Sequence, residues 1–260
     1  MISGDLSGQT ALITGGSRGI GLGIAATYAR NGANVMLAAR KAEGLEAARE
    51  QLLAAGVPAE RIATEAGNVG RIEDAQRCVD ATVTRFGRVD ILVNNAATNP
   101  YVGPIIDCDV ARWDKTHEVN LRGPLVWTQA AWNASMKEHG GSVINISSVG
   151  GLMTSGALGV YDIFKSALMH MTRQMAAELA PKVRVNCLAP GLIKTDFAKY
   201  LWQDGRGDAV AQRYPLKRLG EPEDIAEAAL YFAAGASWVT GQLLVLDGGG
   251  MIRIDDSESV

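Results

Sequence analysis

The sequence predicts a doubly wound α/β fold, a single domain in which helices cover both faces of a seven-stranded parallel sheet. Short apolar runs rich in Val, Ile and Leu alternate with longer segments of helical composition, as when helices connect parallel strands. Each run is apolar at almost every position, which is typical of a sheet buried on both faces. The predicted strands are residues 11–14, 35–39, 62–66, 91–94, 143–147, 183–188 and 243–246.

Glycines mark the predicted helix ends. Gly32, Gly56, Gly87 and Gly140 each follow a helical segment and precede a strand. A left-handed residue often closes a helix, and glycine adopts that conformation without steric cost. The four glycines therefore support the alternation of helices and strands.

Composition limits the possible functions. The chain has 260 residues, 47% of them hydrophobic, and a net charge of -3, so we expect one domain spanning residues 1–260 and no nucleic-acid partner. No apolar run is long enough for a membrane span, and residues 1–10 lack a secretory signal, which predicts a cytoplasmic protein. Three scattered cysteines and three scattered histidines predict free thiols and no metal site.

One connection is unusually long. Residues 192–219 include two glycines among charged residues and four aromatic side chains. A connection of this length inside a compact domain is often functional, which predicts a lid over a binding site. The alternative is a partly helical surface segment whose aromatic side chains pack on the body of the domain.

A glycine-rich turn follows the first predicted strand and opens the first helix. It reads Thr-Gly-Gly-Ser-Arg-Gly-Ile-Gly over residues 14–21. Glycines let backbone amides approach a pyrophosphate, and a helix N-terminus favours an anion. The turn predicts a dinucleotide site that includes Gly15, Ser17, Arg18, Ile20 and Gly21.

The end of the second strand indicates which dinucleotide binds. A fold that prefers NAD usually places an acid there, against the adenosine ribose. This chain has Ala-Ala-Arg over residues 38–40, and an arginine suits a 2′-phosphate, with Arg18 near enough to help. We predict NADP(H). The alternatives are that Arg40 only begins a solvated helix, or that Glu43 reaches the ribose.

Tyr161 and Lys165 stand four residues apart on a predicted helix, so their side chains share one face. A free tyrosine has a pKa of about 10, and a nearby ammonium group lowers it. We therefore expect Tyr161 to exchange protons near neutral pH. The spacing alone is common, so its context decides.

That context resembles the short-chain dehydrogenase/reductase family over residues 6–250. The marks occur in the family's order: the turn at residues 14–21, Asn94-Asn95-Ala96, Asn120, Ser147-Ser148, Tyr161 with Lys165, and Pro190-Gly191. The resemblance implies a Rossmann fold and a catalytic serine thirteen residues before the tyrosine, which selects Ser148.

The resemblance also implies roles. Ser148 would hydrogen-bond the substrate oxygen, Tyr161 would transfer the proton, Lys165 would hold the nicotinamide ribose, and Asn120 would anchor a water molecule. Singly, the serines could cap a strand end and Asn120 could satisfy backbone groups at a helix bend.

Further family contacts carry over to the cofactor. Asn68 and Val69 would lie beside the adenine, Asn95 and Ala96 along the nicotinamide half, and Ile193 and Thr195 at the carboxamide. The chain departs from the usual pattern at Asn68 (mostly Asp), Ala97 (mostly Gly) and Phe164 (usually small). We expect Asn68 to bond the adenine through its amide oxygen, and cofactor affinity to be the property affected.

The general pattern is similar to 3-oxoacyl-[acyl-carrier-protein] reductases, which implies a lipophilic acyl-thioester substrate. Acyl carrier protein is acidic, and Lys137, His139 and Lys182 would supply a basic patch for it. Residues 95–100 also resemble reductases of other ketones, so a broader carbonyl reductase is the alternative. A third possibility is a cofactor sensor that has lost its chemistry. Family members are usually tetramers, which predicts a homotetramer with the acidic tail, residues 254–260, frayed or packed on a neighbour.

Overall fold

The computed structural model describes residues 4–252 of the chain, so the acidic tail lies outside the described residues. Its seven strands form one sheet in the order β3-β2-β1-β4-β5-β6-β7, and every neighbouring pair is parallel. This confirms the predicted sheet. The strands are β1 (Thr10–Thr14), β2 (Asn34–Ala39), β3 (Ile62–Ala66), β4 (Ile91–Asn94), β5 (Gly141–Ile146), β6 (Val183–Pro190) and β7 (Leu243–Leu246).

Helices connect these strands. They are α1 (Gly19–Arg30), α2 (Ala42–Ala54), α3 (Ile72–Phe86), α4 (Val110–His117), α5 (Gly123–Ala131), α6 (Lys137–His139), α7 (Gly159–Leu179), α8 (Lys199–Trp202), α9 (Arg206–Arg213) and α10 (Pro222–Leu230). Two π-helical turns, Glu118–Arg122 and Trp132–Met136, join α4, α5 and α6 into one continuous helical segment. None of the helices within residues 4–252 is both long enough and apolar enough to cross a membrane.

Two apolar cores lie on opposite faces of the sheet. On one face, Ile24 and Tyr28 of α1 pack with Ile225 of α10. On the other face, Val79 of α3 packs with Trp127 of α5. Because side chains alternate along a buried strand, neighbouring residues of β1 serve different cores, which explains the continuous apolar runs in the sequence.

The predicted glycine stops are present in the structure. Gly32, Gly56, Gly87 and Gly140 all have positive φ angles. Gly87 caps α3 with a φ of 88°, and its amide donates to the carbonyl oxygen of Val83 at 2.7 Å. A side chain would strain the backbone there, so the helix ends at this glycine and the chain turns into β4.

The strand order reverses beside β1, whose neighbours are β2 and β4. In open parallel sheets such a reversal leaves a crevice at the carboxyl ends of the strands. The segments that carry the sequence motifs follow β1, β4, β5 and β6 directly, so all of them reach this edge. The fold thereby gathers residues that lie far apart in the sequence.

Candidate active site

A cavity of about 720 Å³ opens at the carboxyl edge of the sheet. All but two of the predicted site residues line it, and Gly21 and Asn120 are the two that do not. The predicted residues in its wall are Gly15, Ser17, Arg18, Ile20, Arg40, Asn68, Val69, Asn95, Ala96, Ser148, Tyr161, Lys165, Ile193 and Thr195.

The glycine-rich turn leaves the start of α1 open to an anion. Arg18 at the N-cap makes no side-chain cap bond, and the first turn contains no acid. The first amides of a helix have no partner within the helix, so they are available to a pyrophosphate. Gly19 has a φ of 54°, and a methyl group there would lie 3.1 Å from Thr195 Cγ2. Glycine at position 19 therefore keeps the space between the turn and Thr195 open.

Asn95 and Thr14 fix this turn in place. Asn95 Nδ2 donates to the carbonyl oxygens of Thr14 at 2.9 Å and Gly15 at 3.1 Å. Thr14 Oγ1 accepts from the amides of Asn95 at 2.9 Å and Ala96 at 3.1 Å. A side chain at Gly21 would overlap the Gly15 carbonyl oxygen, so Gly21 packs behind the turn. Its place in the motif reflects packing of α1 against β1 and β4.

The adenosine end of the cavity is basic. Arg40 and Lys41 line it at the end of β2, and neither forms an ion pair within residues 4–252. Arg18 Nη1 lies 3.4 Å from Asp196 Oδ2, in an exposed pair. Glu43 does not line the cavity. This end of the cavity therefore presents cations without a carboxylate paired to Arg40 or Lys41 in the described residues.

Asn68 is held more tightly than the sequence suggested. The backbone amide of Asn68 donates to Asp74 Oδ2 at 2.8 Å, and its side-chain Oδ1 accepts from the backbone amide of Gly70 at 3.1 Å. The predicted acceptor for the adenine amino group is therefore shared with the backbone. Only the second lone pair of Oδ1 remains for a base.

Ser148 lies directly after β5 and faces Tyr161. Its Oγ accepts from the Gly150 amide at 3.1 Å, and its hydroxyl lies beside the Tyr161 hydroxyl, where it acts to lower the pKa of that phenol. Ser147 is buried, and its hydroxyl donates to the Lys165 carbonyl oxygen at 2.7 Å. The spacing argument thus selected the serine that contacts Tyr161.

Lys165 lies one turn after Tyr161 on α7 and is only 2% exposed. Its Nζ donates to the Ile146 carbonyl oxygen at 2.7 Å and lies 5.5 Å from the centroid of the Tyr161 ring. Burial lowers the pKa of Lys165 to about 8, because the charged form loses hydration. The fraction of Lys165 that is charged near neutral pH is therefore sensitive to small changes in its surroundings.

We expected Lys165 to lower the pKa of Tyr161, and this expectation was wrong. Burial raises the pKa of Tyr161 above its usual value, and the hydrogen bond with Ser148 opposes this only in part. Burial is the largest cause and the charge of Asp162 adds to it, whereas the ammonium group of Lys165 is directed at the Ile146 carbonyl oxygen. Tyr161 is therefore a neutral phenol at neutral pH, the form that donates a proton.

Asn120 is completely buried in the π-helical turn between α4 and α5. Its Oδ1 accepts from the Thr98 amide, and its Nδ2 donates to the Thr98 carbonyl oxygen, each at 2.9 Å. Its side chain thus holds the loop that follows β4, which forms part of the cavity wall. One Nδ2 hydrogen and one Oδ1 lone pair are left for the predicted bond to a water molecule.

The two other departures from the family pattern lie in different surroundings. Ala97 lines the cavity. Phe164 is 5% exposed and packs edge-on against Trp113 of α4, with 4.9 Å between the ring centroids. Phe164 therefore fills the space between α7 and α4 and does not line the cavity.

Other residues that line the cavity lie near the predicted ones but were not singled out. Asp162 follows Tyr161, Asn99 lies in the loop after β4, and Tyr200 lies in α8. An acid beside Tyr161 was visible in the sequence. Its burial in the cavity wall was not, since that depends on how α7 packs against the turn after β5.

The predicted basic patch is in the wrong place. Lys137 and His139 belong to α6, immediately before β5, and Lys182 comes immediately before β6. They lie at the amino ends of the strands, and Lys182 Nζ donates to the Lys137 carbonyl oxygen at 2.5 Å. The cavity lies at the carboxyl ends, so these residues do not border the cavity of their own chain.

The fold and this site define the class of protein, a nicotinamide-dependent oxidoreductase. A doubly wound sheet presents a dinucleotide turn, and a serine, a tyrosine and a lysine meet at the other end of the same cavity. Comparisons with known proteins give the family.

The chain belongs to the short-chain dehydrogenase/reductase family. Residues 15–250 match the family model described as Enoyl-(Acyl carrier protein) reductase. The human Dehydrogenase/reductase SDR family member 4 is 38% identical over 96% of this chain and 90% of its own length. Tropinone reductase-like 3 of Erythroxylum coca is 33% identical over 98% of this chain and 97% of its own length. A short-chain type dehydrogenase/reductase structure from Mycobacterium ulcerans superposes with a TM-score of 0.90 at 34% identity, covering 97% of this chain and 94% of that one.

Proposed function

We propose that this protein is an NADP(H)-dependent carbonyl reductase in which Ser148, Tyr161 and Lys165 are the catalytic residues. One observation carries the proposal: Ser148, Tyr161 and Lys165 line the same cavity as the dinucleotide turn, with Lys165 Nζ 5.5 Å from the centroid of the Tyr161 ring. NADPH, when bound, supplies the hydride.

Ser148 and Tyr161 act on the carbonyl oxygen. Negative charge grows on that oxygen during reduction, and a positioned hydroxyl donor stabilises it. Ser148 donates this hydrogen bond, and the neutral Tyr161 phenol donates the proton that completes the alcohol. In the reverse direction, the same phenolic oxygen accepts the proton.

Lys165 assists from the floor of the cavity. Its ammonium group stabilises negative charge on the Tyr161 oxygen after proton transfer. Burial lowers the pKa of Lys165 to about 8, so Lys165 releases and takes up a proton readily near neutral pH. In this proposal it thereby helps to return a proton to Tyr161 after the reaction. In this proposal it also binds the nicotinamide ribose.

The preference for NADP(H) rests on the charges at the end of β2. Arg40 and Lys41 are unpaired within residues 4–252, and the acids that line the cavity are Asp162 and Asp196. Asp196 pairs with Arg18, and Asp162 lies beside Tyr161 at the other end. A 2′-phosphate therefore meets cations without an opposing carboxylate.

For the substrate, we favour a ketone with a mostly apolar body. The substrate half of the cavity is framed by Met153, Leu158, Phe197, Leu201 and Val210. A 3-oxoacyl thioester is the second candidate, supported by the description of the matching family model. The misplaced basic patch removes one argument for delivery by acyl carrier protein.

The test is an absorbance assay with purified protein, NADPH and a panel of ketones and acetoacetyl thioesters. We expect NADPH oxidation with at least one ketone. In Tyr161→Phe we expect kcat to fall by about a hundredfold or more, because the proton donor is lost. NADPH binding without turnover of any compound would instead identify a cofactor sensor.

We also propose a homotetramer in the cytoplasm. Trp238 is fully exposed, and Leu244 and Val245 on the edge strand β7 are 38% and 36% exposed, although they belong to an apolar strand. Such a surface is typical of a subunit interface. Analytical ultracentrifugation should give four chains per particle, and fractionation of the source cells tests the location.

A further inference from the structure

The cavity wall beside Tyr161 contains a buried carboxyl group that the catalytic scheme does not use. Asp162 is 6% exposed and lines the cavity. Its Oδ2 accepts from Ser155 Oγ at 2.7 Å, whereas its Oδ1 has no hydrogen-bond partner. It also forms no ion pair with any cation in the part of the chain that the structure describes.

A buried acid without a full set of partners reduces the stability of the fold. Burial raises the pKa of Asp162, with the Ser155 hydrogen bond opposing this. Most buried polar atoms in proteins have partners, so an exception in a binding cavity indicates a group that a ligand completes.

A second acceptor in the same cavity is also incomplete. Within residues 4–252, three buried side-chain nitrogen or oxygen atoms have no partner, and the other one in this cavity is Asn99 Oδ1. The Asn99 side chain lies beside the Tyr200 hydroxyl, but Asn99 Oδ1 accepts no hydrogen bond. The two unpartnered atoms in the cavity wall, Asp162 Oδ1 and Asn99 Oδ1, are therefore both hydrogen-bond acceptors. A ligand that satisfies them must carry a hydrogen-bond donor.

Asp162 lies close to the position of the reacting carbonyl. A methyl group at Gly150 would overlap Asp162 Oδ1 and would lie 3.4 Å from Ser148 Oγ. The carboxyl and the catalytic hydroxyl therefore flank one backbone position. Gly150 covers Asp162 Oδ1, so a donor a few bonds from a carbonyl held by Ser148 contacts this oxygen after a small displacement of the turn that contains Gly150.

We propose that Asp162 is a specificity-determining residue that selects carbonyl substrates carrying a hydrogen-bond donor, an ammonium or hydroxyl group, a few bonds from the carbonyl carbon. The inference rests on the proposed carbonyl reductase function. The sequence led us to expect a purely lipophilic substrate. In the refined proposal, the apolar wall of the cavity contacts the body of the substrate, and Asp162 binds its polar group.

The experiment compares three ketones of nearly equal size with NADPH: acetophenones with a meta-ethyl, a meta-hydroxymethyl or a meta-aminomethyl group. We expect kcat/KM in the wild-type protein to be higher for the two donor-bearing ketones, by about tenfold or more for the ammonium compound. Asp162→Asn keeps an oxygen for Ser155 and removes the charge, so the ratio of aminomethyl to ethyl should fall to about threefold or less.

Ser155→Ala is the matched control. It removes the hydrogen bond to Asp162 Oδ2, together with the one that Ser155 Oγ accepts from the Leu158 amide, and keeps the carboxyl, so the preference for donors should persist. Equal rates for all three ketones in the wild-type protein would overturn the inference and leave the reductase function intact. An equal loss of preference in Asp162→Asn and Ser155→Ala would also overturn it, because Asp162 would then only position the loop. If no ketone or thioester is reduced, the proposed function and the inference fail together.

Discussion

Replacement of Asn120 by alanine tests whether its side chain is mainly structural. The change removes two 2.9 Å hydrogen bonds and leaves the amide and the carbonyl oxygen of Thr98 without their side-chain partner. Each orphaned buried group costs roughly 1–3 kcal/mol, and Thr98 is only partly buried, so water meets some of the loss. We expect the free energy of unfolding to fall by about 2–4 kcal/mol.

The assay is urea unfolding followed by tryptophan fluorescence, at one protein concentration because assembly adds to apparent stability. Gln76→Ala is the control, because this exposed amide bonds only Asp80 on the same helix. It should change stability by less than about 0.5 kcal/mol. If Asn120→Ala is as stable as Gln76→Ala, the hydrogen bonds to Thr98 do not hold the loop and the reasoning is wrong.

Three further predictions concern the cavity. Burial lowers the pKa of Lys165 to about 8, so the charged amine is lost as the pH rises through that value. We expect kcat/KM to fall up to about tenfold per pH unit above pH 8, while a flat profile to pH 9.5 would contradict this. Arg40→Asp should reduce the preference for NADPH over NADH by about ten- to a hundredfold, as measured by titration of both cofactors. An unchanged ratio would remove Arg40 from the phosphate site. Gly150→Ala places a methyl group against Asp162 Oδ1 and should lower both the melting temperature and kcat/KM. A variant with wild-type values would show that the carboxyl moves freely.

Much of the fold was predictable because its signals are local. The apolar runs at β3, β4 and β7 predicted strand bounds that the structure reproduces, and the helix-ending glycines have positive φ. β5 was placed less well. It begins at Gly141 and ends at Ile146, because pairing with β6 sets its start, and the turn that carries Ser147 and Ser148 ends it.

The candidate site was predictable as a set of residues and less so as chemistry. Helical spacing paired Tyr161 with Lys165, the family resemblance added Ser148, and the fold brings the three into one cavity. The pKa of Tyr161 was predicted with the wrong sign. Helical spacing shows that two side chains are neighbours, but it does not reveal how much water both have lost.

The sequence by itself determined the alternation of strands and helices, the glycine-rich turn and the set of residues that we propose for catalysis. Periodicity, glycine placement and motif spacing are properties of neighbouring residues, so they can be read without coordinates. Only the tertiary structure decided that Asn120 holds Thr98, that Lys137 and Lys182 lie at the edge of the sheet away from the cavity, and that Asp162 is buried without a full set of partners. Burial and hydrogen bonding depend on segments distant in the chain, and these meet only when the sheet is assembled.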